Sequence, residues 1–185
     1  ASLVLTSIDE SGQFSTRRAS DLFRGKALQD TVLENLLLVM REKGYRVLDS
    51  DFEFIAREDA EAYFAFLGHA RDRLHDYGFR LHVDLAPKSY AEQPGLLYEA
   101  HDYARIGAIA DQVLLMTYEW GYAFGPPGPI APIGNVERVI DYALTEIPAE
   151  KLLLGIPNYG YLSAPSIWRT RDYCHPDDRY HTCTS

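Results

Sequence analysis

With 185 residues, 46% of them hydrophobic and 12% aromatic, the chain has enough apolar mass for one domain with a real core, and nothing in its make-up points to disorder. Eighteen basic residues against 27 acidic ones leave a net charge of −9, which argues against a nucleic acid or an anionic membrane as partner and suits a neutral, sugar-like ligand. No apolar run approaches the length of a membrane span, and residues 1–12 lack the basic start and apolar core of a signal peptide, so any export signal is expected outside this stretch.

In chain order, LVLTSI at 3–8 is a short apolar run that reads as a buried strand. Residues 12–24 are polar with scattered apolar positions, a loop or short helix. Residues 28–43 carry Leu33, Leu36, Leu37 and Met40 at helical spacing, and Gly44 stands where a C-cap glycine belongs. GYRVLDSDFEFI at 44–55 is a strand in which Asp49, Asp51 and Glu53 recur every second residue. Residues 58–77 begin acidic and set Ala60, Tyr63, Phe64, Phe66, Leu67, Ala70 and Leu74 along a helical stripe that Gly78 stops. A strand at 79–86 closes at Pro87, a loop fills 89–95, and 96–110 reads as helix. QVLLMTY at 112–118 is a continuous apolar strand. Four prolines and three glycines in 119–132 mark a long loop after a strand end. Residues 136–145 form an amphipathic helix, 152–156 a strand, and 158–161 its exit.

Five strands that look buried on both sides, alternating with helices, predict an α/β fold with a parallel sheet and crossover helices. That rhythm alone fits an open doubly wound sheet or a (β/α)8 barrel. The absence of a GxGxxG loop after the first strands counts against nucleotide binding. Polar and aromatic groups gather instead at strand ends, at Ser7, Glu53, Tyr118 and Tyr159, as on the catalytic face of a barrel.

In a strand, Asp49, Asp51 and Glu53 project from one face about 7 Å apart. In a partly dry site that is close enough for each charge to raise its neighbour's proton affinity. Three readings compete: a solvated sheet face, a divalent metal site, and acid/base catalysis by carboxylates with separated pKa values. The apolar and aromatic neighbours Tyr45, Val47, Leu48, Phe52, Phe54 and Ile55 favour a strand buried on both faces. No histidine lies nearby, and the glycine and chelating residues of a calcium loop do not follow. In the last dozen residues, Cys174 and Cys183 can close a small disulfide, stay free, or join His175 and His181 on zinc, although the spacing is abnormal for a zinc finger. A loosely ordered tail is the expectation there.

LDSDFEF resembles the DxxDxDxE signature of glycoside hydrolase family 18, the chitinase-like hydrolases, with Asp49, Asp51 and Glu53 on its last three acids. Arg46 and Val47 stand where the family has its first aspartate and the following glycine. LMTYEW at 115–120 resembles the family's MxYD strand, with Glu119 where most members have Asp, and LLLGIPNYGY at 152–161 resembles its LGIPxYG strand. LTSID at 5–9 is similar to the SxGG strand, with Asp9 and Glu10 in place of the glycines. FEFI, LAPK, QPGLLYEAHDY, MTYEWGY and PPGPIAPI look most like the bacterial cell-wall branch, which contains spore-cortex and germination N-acetylglucosaminidases. Lysin-motif modules, common in that branch, are not seen in this sequence.

The resemblance implies a (β/α)8 TIM-barrel fold of which about five units are present, the third to the seventh strands. Residues 1–161 are then a partial catalytic barrel and 162–185 an unassigned tail. The implied substrate is a polysaccharide containing N-acetylglucosamine, peptidoglycan first and chitin second, with no cofactor or metal, in the cell wall or spore envelope outside the cell. The implied chemistry is retaining and substrate-assisted. In it Glu53 is the general acid, Asp51 the partner of the acetamido N–H, Asp49 the group behind it that shares its proton, and Tyr118 the donor to the acetamido carbonyl. Met116, Glu119, Trp120 and Tyr159 are the implied sugar-binding residues. His82 and Asp84 fall where the family has small apolar residues, so each needs a partner, and Ser50 replaces an isoleucine on the helix-facing side. An inactive glycan-binding relative or a truncated fragment without activity is the alternative, and open sheet edges predict self-association.

Overall fold

Period-two alternation decides which way each strand faces. The computed structural model describes residues 1–120 and 128–160, within which five strands form one parallel sheet in the order β1-β2-β3-β4-β5. β1 is Ser2–Thr6, β2 Val47–Asp51, β3 Arg80–Leu85, β4 Gln112–Leu115 and β5 Leu152–Leu154. Leu48, Phe52, Leu81, Val83, Leu85, Val113 and Leu115 project from one face and form the core with the helices. The helices are α1 (Thr16–Arg24), α2 (Lys26–Lys43), α3 (Ala60–His75), α4 (Tyr103–Ile109) and α5 (Ile133–Glu146). Helices α2, α3 and α5 arise where their apolar stripes predict them, and α2 ends at Gly44 with φ 76° in the left-handed region, where glycine is most comfortable.

Strand order separates the two candidate architectures. A doubly wound sheet reverses direction at a switch point, whereas here each strand pairs with the next in sequence and the core lies on one face. That is the wall of a (β/α) barrel, and the face away from the helices is its interior.

Three expectations need correcting. The strands are not all buried on both faces. Edge strand β1 leaves Val4 53% exposed and edge strand β5 leaves Leu154 43% exposed, because among the described residues each has a neighbouring strand on one side only. Residues 96–110 are not one helix. Asp102 caps α4 by accepting from the Arg105 N–H at 3.0 Å. The chain before it is folded into turns, with Tyr98 N–H donating to Gly95 O at 2.8 Å and His101 N–H to Tyr98 O at 3.0 Å. β2 stops at Asp51, so Glu53 lies beyond the ladder. The Cys174, His175, His181 and Cys183 cluster lies outside the described residues.

His101, in the turn before α4, ties two strand exits together. Its Nδ1 accepts the Ala86 N–H at 2.8 Å, so the proton is on Nε2, which donates to the Phe52 carbonyl at 3.1 Å. Tyr103 donates its hydroxyl to Ala86 O at 2.6 Å and accepts the Lys88 N–H at 2.9 Å, while Lys88 Nζ donates to His101 O at 3.0 Å. The end of β3 is thereby fixed to the residue that precedes Glu53. Burial lowers the His101 pKa from 6.5 to about 4, so the ring is neutral near pH 7.

Replacing His101 with Leu leaves the Ala86 N–H and the Phe52 carbonyl buried without partners. Urea unfolding at pH 7 is expected to show a loss on the order of 2–4 kcal/mol. Between 6.5 and about 4 the unfolded chain holds the imidazole proton and the folded chain does not, so the native histidine favours folding less as pH falls. The gap between native chain and variant should therefore shrink toward pH 4; a gap that is constant with pH would refute the buried neutral tautomer.

Candidate active site

The register sets two rows across the barrel interior. Val4, Asp49, His82 and Gln112 are paired in the first. In the second, Thr6 pairs with Asp51, and Asp84 with Leu114 and then Leu153. Carrying the β2–β3 register one step past Ser50↔Val83 brings Asp51 beside Asp84, about 5 Å away at the ordinary strand spacing. Ser50 points to the helix side, buried beside the Tyr63 phenol, and among the described residues neither hydroxyl has a hydrogen-bond partner.

Past the strand ends the backbone turns sharply. The Thr117 N–H donates to Leu115 O and the Tyr118 N–H to Met116 O, both at 2.9 Å, two successive three-residue turns that bring Met116 and Tyr118 to the mouth of the barrel wall. Phe54 and Glu119 are the non-glycine residues with positive φ among the described residues, at 55° and 62°. Each directly follows a predicted catalytic residue, Glu53 and Tyr118. Non-glycine residues held in this region concentrate at functional sites, where the surroundings enforce them.

Glu53, Tyr98, Met116, Tyr118, Glu119 and Trp120 are among the residues lining one open cleft of about 300 Å³. Asp49 and Asp51 are not on its lining; they lie behind it, where the Asp51 charge still reaches the Tyr118 phenol. Tyr159 donates its hydroxyl to Glu119 Oε1 at 2.8 Å, joining the exit of β5 to that of β4, and Trp120 packs partly against the core. Among the described residues no group of three His, Cys, Asp or Glu side chains is arranged to hold a metal ion, and no helix is long and apolar enough to cross a membrane.

The electrostatics set the protonation states. Burial, then the charges of Asp51 and Glu119, raise Glu53 from 4.5 to about 7. Burial, then Asp49, raises Asp51, and burial with the charges of Asp49 and Asp51 raises Asp84 to about 8. Burial and four nearby carboxyl groups push Tyr118 up to about 12, so it is a neutral hydroxyl donor. Burial lowers His82, which stays uncharged near pH 7. A carboxylic acid that holds its proton near neutrality, facing a phenol across a cleft, can donate a proton and later accept one.

Residues 5–174 match the family model described as Glycosyl hydrolases family 18. The chain belongs to glycosyl hydrolase family 18. The cortical fragment-lytic enzyme of Bacillus subtilis (strain 168) is 43% identical over 159 residues, which cover 86% of this chain and 37% of that relative. The crystal structure of the Bacillus megaterium QM B1551 spore cortex-lytic enzyme SleL superposes with a TM-score of 0.79 at 42% identity, covering 84% of this chain and 35% of that one. A chitinase from Chromobacterium violaceum ATCC 12472 superposes with a TM-score of 0.78 at 28% identity, covering 85% of this chain and 49% of that one. The chain therefore spans a little over a third of the length of such curated relatives. The family 18 fold is the (β/α)8 barrel, and the five strands form part of its wall.

Four of the departures from the family 18 motifs make specific local contacts. Arg46, in place of the first signature aspartate, lies with its guanidinium 5.9 Å from the centre of the Phe79 ring. Asp9 accepts from the Ser11 N–H at 2.8 Å and hydroxyl at 2.6 Å, and Glu10 pairs with Arg18, so both acids close a surface turn. Glu119 accepts from Tyr159.

Sequence reasoning did not single out three positions. Tyr98, read as part of a helix, forms a wall of the cleft. His101 was hidden in the same misread stretch. Gly155, the glycine of the LGIP run, leaves room for Tyr118: a Cβ there would stand 2.5 Å from its ring and 2.8 Å from Leu115 O. The close approach is held by the Gly155 N–H donating to Leu115 O at 2.9 Å and Thr117 Oγ1 to Gly155 O at 2.8 Å.

Gly155→Ala is thus expected to displace the Tyr118 ring and destabilise the fold by about 1–3 kcal/mol, read by thermal unfolding. The Tyr118 hydroxyl should ionise at lower pH as the ring leaves its carboxyl neighbours. An unchanged phenol titration would show that the glycine does not position the ring.

Proposed function

We propose that this site hydrolyses β-linked N-acetylglucosamine glycans, peptidoglycan first and chitin second, by the retaining, substrate-assisted route. The observation that carries the reading is the pairing of Glu53, a carboxyl kept protonated to about pH 7, with the neutral Tyr118 hydroxyl on one cleft. In the proposed sequence the acetamido oxygen attacks the anomeric carbon as the glycosidic bond breaks and Glu53 gives its proton to the leaving oxygen. Asp51 accepts from the acetamido N–H and stabilises the oxazolinium charge, Asp49 supports it from behind, and Tyr118 donates to the acetamido carbonyl. Glu53, now a carboxylate, takes a proton from the water that opens the oxazolinium ring. Met116 lies beneath the sugar, with Trp120 and Tyr159 as stacking faces and Glu119 as a polar contact. The names of the Bacillus relatives, cortical fragment-lytic and spore cortex-lytic enzymes, support cortex peptidoglycan as substrate and the spore envelope as the place of action.

A second reading is glycan binding without turnover. It is favoured by the exposure of the barrel interior at Val4 and of Ile156 past β5, which leaves one side of the site open to water. The same open edges, β1 and β5, are proposed as the route to self-association.

The assay measures release of reducing ends from peptidoglycan by the 185-residue chain and by Glu53→Gln, on separated size-exclusion fractions so that associated species are seen. The native chain should release ends at a rate that falls as pH rises through about 7, and Glu53→Gln should lose at least about a hundredfold. Equal rates for the two, zero included, would exclude hydrolysis by this site, and retained glycan binding in that case would establish the second reading. Elution as a single 21.0 kDa species would rule out association through the edges.

A further inference from the structure

Asp84 is an aspartate on the interior side of β3, and the mechanism above does not use it. It is 9% exposed. One oxygen of each of Asp49, Asp51 and Asp84 is buried without a hydrogen-bond donor, and so is His82 Nε2. None of the ion pairs among the described residues includes these acids. The Lys88 ammonium donates to His101 O, and the charges acting on it are those of Asp102, Glu92 and Glu146. The groups facing Asp84 are Asp49, Asp51 and Glu53 from β2 and its exit and Tyr118 from the exit of β4, with His82 two residues earlier on its own strand; Leu114, its partner on β4, is apolar. Behind the sheet the Tyr63 phenol of α3 also senses it. Among the described residues no cation pairs with these three buried carboxyl groups; across the register Asp49 has the His82 ring beside it, Asp51 the Thr6 hydroxyl, and Asp84 the apolar Leu114 on its β4 side, so a proton that relieves their mutual repulsion is best placed on Asp84.

We propose that Asp84 holds this proton: as a neutral acid it donates its O–H to Asp49, so that Asp49 need not draw a proton from Asp51. Asp84 is a positioning residue in this account. No proton is consumed or released, since the O–H stays on Asp84 and the Asp49 oxygen accepts it. Asp51 is left ionised, the state in which it can accept the acetamido N–H and offset positive charge on the sugar. The upward displacement of Asp84, in which a hydrogen bond to Asp49 takes part, agrees with this placement. The role in turnover rests on the glycosidase reading; the location of the proton does not.

The test is a carboxyl 13C NMR titration of the 185-residue chain, with Asp84 assigned by its absence in Asp84→Asn. Asp84 should remain protonated through neutrality and ionise near pH 8. Asn supplies an amide N–H in place of the acid O–H, so Asp84→Asn should leave the Asp51 midpoint within about half a unit. Asp84→Val removes the donor and should raise it by about one unit or more. Ionisation of Asp84 in the ordinary aspartate range would overturn the proposal, as would equal Asp51 midpoints in the Asn and Val variants. The native titration decides the point even if the Val variant does not fold. Because no substrate is involved, these outcomes are independent of whether glycan is cleaved, which the Glu53→Gln comparison decides separately.

Discussion

Carboxyl groups crowded on the barrel side of two adjacent strands are the constraint around which this chain is built. Asp49 and Asp51 on β2, Asp84 on β3 and Glu53 just beyond β2 share a partly dry surface. Desolvation and mutual repulsion both oppose folding there. What holds the strands in place is on the opposite face, where Leu48, Phe52, Leu81, Val83 and Leu85 are almost wholly buried against the helices. Burying each such side chain contributes about 1.5–3 kcal/mol, enough in sum to carry several strained acids. The sheet thus divides by parity: one set of alternate residues stabilises, and the other carries the acids at the expense of stability.

Placement of the acids is useful only if the strand exits are equally well held. His101 does this between β2 and β3, bridging Phe52 and Ala86 with a neutral imidazole. Between β4 and β5 the task falls to Gly155, whose missing side chain admits the Tyr118 ring. The left-handed conformations of Phe54 and Glu119 complete the picture. Both exits leave their ladders abruptly, and both do so directly after a residue that faces the cleft.

Much of this was legible in the residues. The two-residue spacing of Asp49 and Asp51 put them on one face of β2, with Glu53 just past its end, and the alternation of apolar runs with helical stripes pointed to five parallel strands. Glycine stops such as Gly44 marked the right boundaries because a left-handed C-cap has a strong chemical preference. What sequence patterns did not reveal depended on long-range contacts. The stretch 96–101 has helical composition, yet its backbone groups are taken by turns and by the His101 bridge. The exposure of β1 and β5 depends on how many neighbours a strand has, which no local pattern encodes. Asp84 was visible only as an anomaly, a buried acid in need of a partner; the register that supplies Asp49 and Asp51 as its neighbours is a property of the sheet.

Burial first, and then the charges of Asp51 and Glu119, keep Glu53 protonated where an ordinary glutamate is ionised. Infrared difference spectroscopy between the native chain and Glu53→Gln follows the protonated carboxyl band of that one residue as pH is raised. The account predicts that half of the band is lost at about pH 7. Loss centred near 4.5, the ordinary value for glutamate, would contradict it.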